Sequence, residues 1–294
     1  MYYIKEIDKL NIFDKIFLRV KDVQNKFDNN CSEILLPNDC FTICKNSKTG
    51  KNKTKKLVRK IVNIVKKSEC NKVILSSDIA NNELFANYIY SYGLDVINGK
   101  WLFEILSDNI IAYIINKKRF NKDEIYISIL VNDISSIMLE NIKSIILKYK
   151  KVNIITKHIE KFKNIEEDIL IDIGKSVYIS NNKRKGLIKS NIILNVDFSE
   201  EEINKYNIYD EAIVVNLKQN VKINRKRFRG ININDYEIKY IDTELDLQEL
   251  SLDYRMKEVY ESKLSKKMLC QEVFQKIEKN FVEIEYLQGD NIRI

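Results

Sequence analysis

The sequence predicts an α/β protein, and three observations predict it. One proline and seven glycines in 294 residues are too few for the many turns of a sandwich or barrel. Short apolar runs alternate with stretches of helical periodicity, which implies right-handed crossovers and a parallel sheet. A hydrophobic fraction of 45% beside 31% charged residues suits a globular chain with enough apolar sequence for two cores. The expected organisation is an N-terminal α/β domain over 1–120 and a parallel-sheet domain over 121–242. A C-terminal helical segment over 243–294 is expected to pack back on the first domain.

Residues 1–44 alternate apolar runs (12–20, 33–36, 40–44) with polar turns and read as short strands with one helix. Thr54 can cap a helix to about Lys67, with Leu57, Ile61, Ile64 and Val65 on one face. Residues 73–76 read as a buried strand. Segments 82–92 and 101–116 read as helices, separated by Gly93, a strand at 96–97 and Gly99. In the second domain 125–131 is the first strand. Ile134, Ile137, Met138, Ile142, Ile145, Ile146 and Tyr149 then trace one helical face. A strand at 152–156 and a helix at 159–169 follow. Further strands are expected at 176–180, 191–195 and 212–217, and edge strands at 231–234 and 237–241. From 244 to about 286 the helical pattern returns on Leu264, Met268, Val273, Phe274 and Ile277. There is no internal repeat.

The net charge of +8 is local. Ten cations and no acid lie between Lys45 and Lys67, so the other residues together carry a net −2. Within it Lys51, Lys53, Lys55, Lys56, Arg59 and Lys60 form a basic patch able to meet nucleic acid, anionic lipid or an acidic protein. The window holds no aromatic for base stacking, so a solvated loop is the plainer reading. Arg225, Lys226, Arg227 and Arg229 surround Phe228 in a second patch, and Lys183-Arg184-Lys185 is a third. All three converging on one rim would make an anion-binding surface. Five cysteines without a C-x-x-C pair fit a reduced, cytoplasmic setting. With His158 as the single histidine, no metal site is expected. No apolar run is long enough to span a membrane. Thr49–Thr54 resembles a P-loop by eye but lacks its first glycine and the magnesium-holding hydroxyl.

Thr156-Lys157-His158-Ile159-Glu160-Lys161-Phe162 resembles the N-R-T-x-x-K-A turn of shikimate dehydrogenases and glutamyl-tRNA reductases. Lys189–Val196 is similar to their A-D-I-V-I-N-A-T segment, and Glu211–Leu217 to their G-A-L-V-I-D-L strand. The resemblance covers roughly 122–240 and implies a Rossmann-like, NAD(P)-binding type of domain. The family's catalytic Lys–Asp pair does not carry over. Lys100 and Asp108 are matches in name only and read as solvated helix positions.

The departure from that family lies in the first turn. Where the glycines of G-x-G-x-x-G admit a pyrophosphate, this chain has Val131-Asn132-Asp133-Ile134-Ser135-Ser136. Side chains of Asn132, Asp133, Ser135 and Ser136 are expected to fill the phosphate space. Asp133 is expected to cap the helix N-terminus and to repel phosphate. Lys157 and His158 remain as contacts for a small anion, although an exposed turn histidine is the plainer reading of His158. The expected function is therefore a non-catalytic, pseudoenzyme-like binding or regulatory protein on a dehydrogenase-like scaffold, with no cofactor and no catalytic residue. Its partner would be a protein or an anionic ligand. The alternatives are an NADP-dependent oxidoreductase with an aberrant phosphate loop, and a nucleic-acid-binding accessory protein using the 45–67 segment.

Overall fold

The computed structural model describes residues 2–7, 40–44, 55–56, 58–59, 61–63, 66, 72–80, 83–224, 226, 228–241, 254–264, 267–290 and 292–294. They form two compact units, one of 1–99 with 241–266 and one of 100–240 with 267–294. The division falls at Gly99/Lys100 rather than near residue 120, and the C-terminal region is shared between the units.

The first unit is built on a parallel sheet of order β2-β1-β3-β4, from Tyr2–Ile7 (β1), Cys40–Cys44 (β2), Lys72–Leu75 (β3) and Asp95–Val96 (β4). Ser77–Ala80 (α1) and Glu83–Ser91 (α2) connect β3 to β4. Residues 55–56, 58–59, 61–63 and 66 are helical, as the capping threonine predicts. Val58, Ile61 and Val62 are the buried face there, packed with Val73, Leu75 and Phe85. Ile61 lies on the face read in sequence, and Leu57, Ile64 and Val65 lie outside the described residues. Met256–Lys263 (α8) returns to this unit, as expected of the C-terminal region, and buries Lys257 and Glu258.

Burial pushes the Lys263 amine down to about 8. Because the folded state disfavours the ammonium, the penalty is full below about pH 8. It fades as pH rises toward the ordinary lysine value of about 10.5. The wild type is therefore expected to gain stability relative to Lys263→Met across that window. Thermal melts of both proteins at stepped pH check this, and a parallel pH course for the two would refute it.

The second unit carries the resemblance. Its strands are Tyr126–Leu130 (β5), Lys151–Ile155 (β6), Tyr178–Ser180 (β7), Ile192–Asn195 (β8), Ile213–Asn216 (β9), Ile231–Lys239 (β10) and Glu283–Gly289 (β11). The sheet order is β7-β6-β5-β8-β9-β10-β11, parallel throughout except for the antiparallel β10–β11 pair. Counted from β5, the six parallel strands run 3-2-1-4-5-6, the order of a doubly wound dinucleotide-binding sheet. The expected α/β class and Rossmann-like domain are what the chain adopts. One expectation is corrected: 283–289 is a strand, not the end of a helix. Ile284 and Leu287 seat it against β10, and the short helix Cys270–Lys279 (α9) precedes it. The two edge strands read at 231–234 and 237–241 are one continuous β10.

One face of the sheet is covered by Ser136–Lys148 (α5) and Ile159–Ile173 (α6). Lys100–Ile105 (α3) and Ser107–Lys118 (α4) pack on α5. The single helix expected over 101–116 breaks at Leu106. Its cause is Asn141 of α5, whose Nδ2 donates to the Glu104 and Ile105 carbonyls at 3.1 and 3.0 Å and satisfies the end of α3. Phe103 of α3 stacks on Tyr236 of β10, centroids 4.2 Å apart, and both rings are buried. Such a pair adds about 1 kcal/mol beyond its apolar burial. Neither Lys100 nor Asp108 is a solvated position. Asp108 is buried, and Oδ2 accepts from Ser144 at 2.8 Å and from Lys148. Lys100 Nζ donates to Asn220 Oδ1 at 3.0 Å and the Asn234 carbonyl at 2.8 Å.

The opposite face is covered, among the described residues, by irregular crossovers and one short helix, Glu200–Ile203 (α7). Leu187, Phe198, Ile203, Tyr206 and Val221 from these crossovers meet Leu130, Ile155, Ile193 and Val214 of the sheet.

Candidate functional site

In an open parallel sheet the ligand crevice lies beyond the C-terminal strand ends, where the strand order reverses. That switch point is between β5 and β8. The chain leaves β5 at Leu130, turns through 131–135 and enters α5 with Ser135 as N-cap. Ser135 Oγ accepts from the Met138 N–H at 3.1 Å. The turn's other amides face inward. The Asn132 N–H donates to Asp197 Oδ1 and the Asp133 N–H to Asp197 Oδ2, each at 2.8 Å. Asp197 sits two residues past the end of β8, directly across the switch point. A carboxylate gripped by successive backbone amides has the geometry of a phosphate in an anion nest. Here an internal side chain takes that place.

The surroundings fix this arrangement. Asn132 is buried, and its Oδ1 accepts from the Lys157 N–H at 3.0 Å, tying the turn to the end of β6. Ser135 Oγ also donates to Glu104 Oε1 at 2.5 Å. Asp133 is not the helix cap expected of it. Its exposed carboxylate pairs with Lys161 at 2.7 Å, and that hydrogen bond and charge, with His158 and Lys218 behind them, hold it below the usual carboxylate range. Ser135 wins the cap because the extended residue directly before the first helical turn presents its hydroxyl to the third amide. The group that engages the Asn132 and Asp133 amides is the Asp197 carboxylate, not a side chain of the turn itself.

Nor are the cations of this rim free. Lys157 pairs with Glu202 of α7. Burial opposes ionisation of Glu202, but hydrogen bonds from Lys157 and from Ser199 outweigh it and hold its pKa below the ordinary value. Lys218 Nζ lies 4.0 Å from Glu104 Oε2. The His158 N–H is spent on Thr156 Oγ1 at 3.1 Å. Ser136 Oγ lies 3.4 Å from Cys270 Sγ at the start of α9.

An asparagine ladder runs from the ends of β8 and β9 onto the first residues of β10. Asn195 Nδ2 donates to Asn216 Oδ1 at 2.9 Å, and Asn216 Nδ2 to Asn232 Oδ1 at 2.8 Å and Asn234 Oδ1 at 3.0 Å. Asn232 and Asn234 in turn donate to the two oxygens of Asp290 at 3.1 and 3.2 Å. Asn195, Asn216 and Asn232 are buried. Buried amides this well satisfied rigidify the rim. Asp197 carried no signal in sequence, since its role depends on two strands nonadjacent in the chain. The ladder did carry one: an asparagine closes each of two buried apolar runs, at 195 and 216.

The basic patches are only partly described. Lys55, Lys56 and Arg59 are exposed in the first unit, with Arg59 Nε donating to the Tyr92 hydroxyl at 2.6 Å. Lys226 is exposed in the second unit, where Arg229 lies 3.7 Å from Glu211. Lys51, Lys53, Lys60, Arg225 and Arg227 lie outside the described residues. Among the described residues no cluster of histidine, cysteine and carboxylates is arranged to hold a metal, and no helix is long and apolar enough to cross a membrane.

No protein-family model and no curated protein matches the chain. Solved structures with partial likeness include L-tryptophan dehydrogenase from Nostoc punctiforme, at 11% identity and a TM-score of 0.29 over 76% of this chain and 64% of that one. A putative malic enzyme shows 12% identity and a TM-score of 0.30 over 73% and 60%. A shikimate 5-dehydrogenase-like protein shows 10% identity and a TM-score of 0.24 over 73% and 75%. The chain thus spans less than two thirds of the length of the first two. Its fold class rests on the strand order given above, not on these likenesses.

Proposed function

We propose that the chain is a non-catalytic binding or regulatory protein built on a dehydrogenase-like scaffold. The observation that carries this reading is the Asp197 carboxylate on the Asn132 and Asp133 amides. A pyrophosphate arriving at the turn would meet a like charge and two donors already engaged. Displacing the carboxylate costs two charge-assisted hydrogen bonds, each about 1.5–3 kcal/mol. Micromolar affinity amounts to about 8 kcal/mol, so that cost alone moves a dinucleotide toward the millimolar range. An NADP-dependent oxidoreductase would need Asp197 to swing away from the turn and Lys157 to leave Glu202.

Titration with NAD(H) and NADP(H), followed by nicotinamide fluorescence and calorimetry, tests the reading. No saturation below about millimolar concentration is expected. Saturable micromolar binding would overturn it in favour of the oxidoreductase.

A further inference from the structure

We propose that the crossover face of the second unit binds single-stranded nucleic acid, through a cationic track that ends in an aromatic cavity. The cavity is open, about 460 Å³, and lies at the N-terminal strand ends, away from the Asp197 turn. Phe120, Tyr126, Ile188 and Tyr209 line it, with Lys189 and Glu124 on its wall. Tyr126, Ile188 and Tyr209 are exposed, and Asn121 and Asn191 add amide groups, so rings for stacking stand beside groups able to hydrogen-bond a base edge. Lys151 Nζ sits 4.6 Å from the Tyr126 ring centroid, adding a cation beside it.

The track leads to this cavity along two crossovers that run side by side. The Asn207 N–H donates to the Lys183 carbonyl at 2.7 Å and the Tyr209 N–H to the Leu187 carbonyl at 3.2 Å. Lys183, Arg184 and Lys185 stand on a tight turn fixed by Asn182, whose Oδ1 accepts from the Arg184 and Lys185 amides at 3.0 Å each. With Lys189 and Lys205 they make five exposed cations, none in an ion pair among the described residues. Of the neighbouring acids, Glu202 holds Lys157 and Glu211 lies near Arg229. Glu200 accepts from the Lys222 amide and from Asn224 and keeps its charge, so Glu124, Glu200, Glu201 and Asp210 stand against the five.

Phosphates along free cations, with a base stacked in a recess of aromatic rings, is the chemistry of non-specific single-strand binding. A duplex keeps its bases stacked and has nothing to place in the cavity. An acidic polypeptide would use the cations but not the rings. This proposal is independent of the Asp197 turn and stands whether or not a dinucleotide binds there.

Fluorescence anisotropy with labelled oligo-dT and oligo-U of about 12 nucleotides tests it, from about 50 mM salt upward. Binding that weakens with salt is expected. Reversing Lys183, Arg184 and Lys185 together to Glu should weaken it at least about tenfold and lower the log–log salt slope by about two. Tyr209→Ala and Tyr126→Ala should each weaken it about tenfold without changing that slope. Lys117→Glu with Lys118→Glu, at the end of α4, should leave affinity unchanged. Circular dichroism establishes that each variant folds, and Arg184→Glu alone serves if the triple variant does not. Absence of binding at low salt overturns the proposal. So does equal affinity for duplex, or indifference to either the charge reversals or the ring truncations.

Discussion

Replacing Asn216 by alanine is expected to cost about 4 kcal/mol of folding stability, the largest single-residue effect at the site. The side chain is fully buried at the end of β9 and joins four partners. It accepts from Asn195 and donates to Asn232 Oδ1, to the Ile233 carbonyl at 3.2 Å and to Asn234 Oδ1. Alanine leaves several of these acceptors facing a space too enclosed for easy hydration, each costing about 1–3 kcal/mol, and adds a cavity. Asn216→Asp should be at least as damaging despite equal volume, because it turns the donor into an acceptor facing three oxygens. Urea denaturation should show a lower midpoint with an unchanged m-value. A loss below about 1.5 kcal/mol would mean that water replaces the ladder at little cost.

That ladder shows how far the chain could be read without coordinates. The strands were legible because buried β5, β8 and β9 each carry a continuous apolar run, and α5 because its apolar residues recur at helical spacing. The α3–α4 break was not, because it depends on Asn141, which reaches the Glu104 and Ile105 carbonyls from another element. The strand at 283–289 was lost for a similar reason. Its alternation spans only a few residues next to a true helix, and its partner β10 lies more than forty residues earlier. At the site, the missing glycines drew attention to the turn at Asn132–Ser136. The cap there is Ser135 and not Asp133, and the contact from Asp197 was not legible because it acts across the switch point. Charge patches were countable in sequence, but only the fold shows which cations are spent: Lys157 and Lys161 are paired, whereas Lys183, Arg184 and Lys185 have no ion pair among the described residues.

Asp197→Ala is expected both to destabilise the protein by about 3 kcal/mol and to create an anion site that the wild type lacks. The first effect follows from the two 2.8 Å hydrogen bonds to a carboxylate, partly offset because the half-buried turn can admit water. The second follows from what remains: two adjacent amides, one from a buried residue, at the mouth of the α5 N-terminus. If inorganic phosphate binds the variant with a dissociation constant of about 5 mM, about 50 mM phosphate should return about 1.4 kcal/mol. The wild type should show no such gain beyond the general salting effect, which sodium chloride at matched ionic strength and Asp197→Asn control for. Asn keeps one acceptor oxygen and should respond less than alanine. Thermal melts with and without phosphate read both effects at once. A variant as stable as the wild type would show that the carboxylate does not hold the turn. A destabilised variant indifferent to phosphate would show that the turn is no phosphate cradle, and the reading of Asp197 as an internal substitute for one would fall.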